Sequence, residues 1–158
     1  MIETMTTIEM EVAVARYFNP RVNIIVPNVS WGLGVHECDV LVLTTSGYAA
    51  EIEIKINKSD LLRDKGKIHS HLHRKIKRLY FAVPETLRDC VEHIPERAGF
   101  LVVRESHYVE VVKEAQTNED AIKFDADEIL HLAHLGTMRI WTLKEKLIQK
   151  LSIADERY

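Results

Sequence analysis

Residues 36–57 read HECDVLVLTTSGYAAEIEIKIN, and the fold is decided there. Two extended stretches, Val40–Thr44 and Tyr48–Ile56, flank the turn Thr45-Ser46-Gly47, a hairpin by composition and spacing. Strand side chains alternate between faces, so Glu51, Glu53 and Lys55 point one way while Ile52, Ile54 and Ile56 point the other. Asp39 heads the first strand, and closing the hairpin brings it near Glu53. Two carboxylates and an ammonium then converge, a setting that suits a hard divalent cation and a polarised water. A solvated face of an amphipathic strand has the same local text, since Glu-x-Lys is a common triplet.

Working outward, residues 3–18 show a helical repeat of Ile8, Val12, Ala15 and Tyr17–Phe18 that Asn19-Pro20 stops. Arg21–Val29 reads as a strand that Pro27 assigns to an edge or an end. A helix capped by Asn57 or Ser59 is expected through Leu61, Leu62 and Asp64 to about Lys77, with a break near Gly66. Leu79–Val83 reads as a buried strand, Leu87–His93 as a short helix, and Gly99–Val103 and Tyr108–Lys113 as two more strands. Residues 116–127 read as a polar, acidic loop or linker. Asp127 caps a helix over Ile129–Leu135, Gly136 breaks or kinks it, and Met138–Leu151 carries an apolar stripe of Ile140, Leu143, Leu147, Ile148 and Leu151. The order is that of an α/β sandwich on a mixed sheet: a core over 1–115 and a helical extension over 116–158 that packs on the core or in a homodimer.

With 158 residues, 46% hydrophobic and 28% charged, the chain suits one soluble domain. No apolar run is long enough for a membrane helix, and the N-terminus lacks the pattern of a secretory signal. Two cysteines, Cys38 and Cys90, without CxxC spacing, fit a reducing cytoplasm. The net charge of −3 conceals a polarity: Lys55–Arg78 holds nine Lys/Arg and two acids, 9 − 2 = +7, whereas Glu105 to the end holds eleven acids and seven bases. Lys65, Lys67, His71, Arg74, Lys75, Lys77 and Arg78 form a stripe suited to phosphate contacts, although any one of them also fits a solvated helix face. His69, His71 and His73 suggest zinc only from a loop, because on a helix His71 points away from the other two. Trp31 and Trp141 are read as core aromatics before they are read as base-stacking platforms.

The order helix, strand, strand with Asp39, strand with Glu53-Ile-Lys55, helix, strand resembles the PD-(D/E)xK nuclease superfamily. Residues 37 to about 84 are further similar to its small MmcB-like DNA-repair branch. Cys38 stands where the name-giving Pro would be, a position without chemistry. The resemblance implies a restriction-endonuclease-like αβββαβ core with a central mixed sheet flanked by helices. It also implies a Mg²⁺- or Mn²⁺-dependent nuclease acting on DNA, with Asp39 and Glu53 as metal ligands, Glu11 completing the site and Lys55 serving the attacking water. Lys75 corresponds to a basic residue often found near the catalytic face. Glu37 and Glu51 are possible additional ligands. A catalytically silent nucleic-acid-binding module of the same fold is the alternative, and a zinc-binding regulatory domain a third reading.

Overall fold

Thr6 opens the first helix, α1 (Thr7–Tyr17), through a reciprocal cap: its Oγ1 accepts from the Glu9 amide at 3.3 Å, and Glu9 Oε2 accepts from the Thr6 amide at 2.7 Å. The structure, a computed structural model, describes residues 5–29, 37–64 and 74–155. After α1 come β1 (Ile24–Val29), β2 (Cys38–Leu43), β3 (Ala49–Ile54), α2 (Lys58–Asp64) and β4 (Ile76–Pro84). A 3-10 helix (Glu85–His93), β5 (Gly99–Val103), β6 (Val109–Lys113) and α3 (Ala126–Asp155) complete the chain.

The six strands lie side by side in chain order. β1, β2 and β3 form an antiparallel meander; β3, β4 and β5 run parallel; β6 returns antiparallel. Between β2 and β3, Gly47 adopts φ 85° and donates to the Thr44 carbonyl at 2.9 Å, a conformation that glycine enters without a Cβ penalty. Joining the parallel pair β3 and β4 requires a crossover, and α2 lies on it. Pro27 stands on β1, at the edge of the sheet, where a missing N–H costs least.

α1 covers one face, over Val40, Val42, Ile52, Ile54, Tyr80, Ala82 and Leu101. On the opposite face, Leu132, Leu135 and Phe124 cover β1 and β2, while Leu61 and the 3-10 helix cover Phe81, Phe100 and Val102. The central strands are thus buried on both sides, which explains why β4 and β5 read as continuous apolar runs. β3 is equally buried, yet it carries Glu51 and Glu53 at 0% and 8% exposure. Buried carboxylates are rare enough to demand a reason.

Four expectations are corrected. The core stripe of α1 is Met10, Ala13 and Val14, with Ile8 and Val12 exposed. Both sets have helical spacing; of the expected positions Phe18 does pack on the core cluster, together with Met5, Met10, Ala13 and Val14. Second, Ile76 already belongs to β4, so Lys77 and Arg78 stand on a strand and not at the end of a helix. Third, α3 runs unbroken through Gly136, where a Cβ would lie 3.2 Å from Val26 Cγ2; the glycine admits β1 to close approach and does not end the helix. Residues 116–125 form a loop, as read, and it is fastened to the body, with the amides of Gln116, Asn118, Ile122 and Phe124 donating to the carbonyls of Arg97, Lys77, Arg74 and Gly47. Fourth, Trp141 is more than half exposed, contrary to a core reading; Ile140, Leu143, Leu147, Ile148 and Leu151 of the α3 stripe are exposed to the same degree. No helix among the described residues is long and apolar enough to cross a membrane.

Gly99 yields a direct test of the packing. A Cβ there would lie 2.5 Å from the ring of Tyr80 and 2.8 Å from the amide nitrogen of Ala115. Neither neighbour is a free side-chain end, so Gly99→Ala is expected to destabilise the fold by about 1–3 kcal/mol, read as a lower urea midpoint at unchanged slope.

Candidate active site

The hairpin register pairs Val40 with Ile52, and β1 pairs Pro27 with Val40 and Val29 with Cys38. Continued by one residue, it sets Asn28, Asp39 and Glu53 on one rung across three strands. Asp39 Oδ2 accepts from the Ile54 amide at 2.7 Å, which fixes its carboxylate against the end of β3. Just past β3, the Lys55 amide donates to the Ala82 carbonyl at 3.0 Å, holding the residue to β4. Its Nζ lies 3.1 Å from Glu53 Oε2 and 3.4 Å from Asp64 Oδ1. Asp64, on α2 and 6% exposed, had no assigned role in the sequence reading. Only the return of α2 over the sheet brings it to Lys55.

One ammonium therefore faces several carboxylates. Burial pushes the Asp39 carboxyl above its usual range, with Glu53 raising it further, and the Ile54 amide offsets only part. Burial likewise raises Glu53; Lys55 opposes the shift, but Glu51 and Asp64 add to it. Glu11 is raised by burial and by Asp39, against a hydrogen bond from Asn28. For Lys55, burial disfavours the charge, yet Glu53, Asp64 and Asp39 outweigh it and hold the amine above its ordinary value. Lys55 is thus a fixed cation, fitted to orient water or neutralise developing negative charge and not to serve as a base. The local excess is of negative charge, and a divalent cation would relieve it.

Among the described residues, no group of three or more His, Cys, Asp or Glu is gathered closely enough to hold a metal ion unaided. Mg²⁺ commonly takes one or two carboxylates and keeps several waters, so the hard oxygen donors of Asp39 and Glu53 fit such an ion. Glu9, by contrast, is consumed by the α1 cap.

Glu11 adjoins this site from α1, as its interaction with Asp39 shows. Glu51 is fully buried one pleat further in. The basic residues lie elsewhere. Ile76 pairs with Ala49, whereas Ala82 pairs with Ile54, so Arg74 to Arg78 occupy the far end of β3, about 13 Å of strand from Glu53. Lys75 Nζ binds Glu128 Oε2 at 2.7 Å and clamps the start of α3, instead of standing by the carboxylates. Lys77 Nζ sits 3.7 Å from the centre of the Tyr48 ring, and Arg78 is exposed. Lys65, Lys67, His69, His71 and His73 lie outside the described residues, as do Trp31 and Glu3. Cys38 and Cys90 are both free and buried, and burial pushes the Cys38 thiol far up, which leaves it unreactive.

No family model and no curated protein matches the chain. Its fold is similar to a solved structure, the SPO1766 protein of unknown function from Silicibacter pomeroyi, with a TM-score of 0.64 over 92% of this chain and 93% of that one, at 19% identity. What the two share is a mixed α/β fold, here a six-stranded sheet flanked by helices.

Proposed function

We propose that the chain is a divalent-cation-dependent nuclease with a PD-(D/E)xK-type core. Asp39 and Glu53 hold Mg²⁺ or Mn²⁺, Glu11 assists, and Lys55 attends the attacking water of DNA phosphodiester hydrolysis. The observation that carries this reading is one ammonium set among more carboxyls than it can pair: Lys55 Nζ lies 3.1 Å from Glu53 and 3.4 Å from Asp64, with half-buried Asp39 fixed against the same strand end by the Ile54 amide. A structural ion pair needs one partner of each sign. Ionising these carboxyls together at a strand end is costly without a cation to offset the charge. The ion would neutralise the phosphate and lower the pKa of a bound water. Asp39 is oriented for this by the Ile54 amide, and Lys55 by Glu53 and Asp64.

The test is cleavage of plasmid, linear, single-stranded and branched DNA in Mg²⁺ or Mn²⁺, with EDTA and Asp39→Ala as controls. Cutting by the wild type that both controls abolish supports the reading. An inert wild type on every substrate refutes it and leaves the silent binding module of the same fold.

Asp64 acts through Lys55 in this scheme. Asp64→Asn keeps the shape and removes one anchor, so single-turnover cleavage should fall about 10- to 100-fold while the circular dichroism spectrum is retained. An unchanged rate would remove Asp64 from the site.

A further inference from the structure

Next to Glu11 a cleft of about 340 Å³ opens between β1 and α3, and Asn28, Arg139, Thr142 and Lys146 line it together with Glu11. Arg139, Thr142, Leu143 and Lys146 recur at helical spacing, so one face of α3, polar but for Leu143, is turned to it. Asn28 sits at the junction. Its backbone is left-handed, at φ 52°, inside a strand. That twist lets Val26 and Val29, three residues apart, enter the same apolar cluster, which a regular strand forbids. The Asn28 side chain bonds to Glu11, and its carbonyl accepts from Arg139 Nη2 at 2.5 Å. On the register it stands opposite Asp39. One left-handed residue, a conformation asparagine enters readily, thus links the carboxylates on one side to the α3 cations on the other.

Resting on the nuclease reading, we propose that this cleft is a phosphate-binding subsite, in which Arg139 and Lys146 take the phosphodiester backbone of the nucleic acid whose cleaved bond lies at the carboxylates. The charges are complementary: a bound metal ion and Lys55 would face the substrate from the strand side, and the α3 cations from the helix side. Exposed Lys146 contributes charge without being needed for packing, whereas Arg139 also ties α3 to β1.

The experiment measures fluorescence-anisotropy binding of a labelled DNA duplex between 50 and 200 mM salt, values spanning about 10³–10⁵ in affinity for a multi-phosphate contact. The wild type is compared with Lys146→Glu, Arg139→Gln and Lys144→Glu. Lys144, over the Trp141 ring, gives the same change of charge on α3 without lining the cleft. Lys146→Glu should weaken binding about tenfold at low salt and lower the salt slope by about one, while Lys144→Glu changes it no more than about threefold. Equal effects of the two charge reversals, or none from Lys146→Glu, would overturn the subsite, and Lys146→Glu decides the matter even if Arg139→Gln perturbs the fold. Asp39-dependent cleavage with normal binding by Lys146→Glu keeps the nuclease and removes the subsite. Lys146-specific binding by an inert wild type keeps the cleft as a backbone-binding site and removes the chemistry.

Discussion

Lys55→Ala is expected to lower single-turnover DNA cleavage about a thousandfold, roughly 4 kcal/mol of transition-state stabilisation, the scale on which a preorganised charge acts in a water-poor site. Lys55 is held above its ordinary pKa, so it is already charged at neutral pH and its loss cannot be repaired by raising the pH. Removing it also leaves Glu53 and Asp64 facing each other with no ammonium between them, and breaking a buried pair in this way costs up to about 3–5 kcal/mol. Thermal unfolding must therefore accompany the rate. Lys55→Met keeps the stem and separates loss of charge from loss of packing, and Lys55→Arg should retain more activity than either. A folded Lys55→Met protein that cuts like the wild type would remove Lys55 from the chemistry.

The second large effect concerns stability. Mg²⁺ or Mn²⁺ at about a hundred times its dissociation constant should stabilise the protein by about 2.7 kcal/mol. For a domain of this size that is a rise of about 5–10 °C in Tm. The pH dependence has a definite sign. Asp39, Glu53 and Glu11 carry carboxyls raised in the folded state, first by burial. The folded chain then holds protons that the unfolded chain has released, so their contribution is fully present below the unfolded carboxylate pKa. It is lost as pH rises through the raised folded values. A metal ion binds the ionised form and competes with those protons, so the Tm gain should grow with pH across that window and fade below it. Glu110 has the opposite sign: hydrogen bonds from Arg88 and Arg104 hold its carboxyl down at about 2, so its contribution is lost on acidification. The difference between wild type and an Asp39→Asn, Glu53→Gln double variant isolates the site from that background. The double variant should lose the metal response and, without metal, be at least as stable as the wild type at neutral pH. A Tm indifferent to both ions, or an equal response in the double variant, would contradict the assignment.

Much of this arrangement was legible in the sequence because the hairpin is governed by local rules. Strand alternation placed Glu51, Glu53 and Lys55 on one face, the Gly47 turn closed β2 on β3, and register then carried Asp39 to Glu53. The order α1, β1, β2, β3, α2, β4 follows the expected one, and Pro27 lies on the edge strand as read. What escaped depends on how the elements fold over one another. Two apolar stripes compete on α1, and the sheet selects Met10, Ala13 and Val14. Asp64 looks like an ordinary helix acid until α2 lies over Lys55. The Lys75 and Lys77 charges continue a basic run in sequence, but β4 begins before they end, and the parallel register carries them to the opposite end of the sheet. Asn28 did leave a signal: an asparagine after proline within a β-branched run is a residue suited to the left-handed conformation. Arg139 and Lys146 left none, since their relation to Glu11 exists only once α3 crosses β1.

The central claim is that Asp39, Glu53 and Lys55 form one cation-dependent hydrolytic centre, and the most direct test is the Mg²⁺ dependence of single-turnover DNA cleavage by wild type and Asp39→Asn. The account predicts a saturable Mg²⁺ requirement in the wild type and a rate reduced at least about a hundredfold in Asp39→Asn, a variant that keeps the size of the side chain and removes its charge. Cleavage that ignores Mg²⁺, or that Asp39→Asn performs as fast as wild type at every Mg²⁺ concentration, would contradict it.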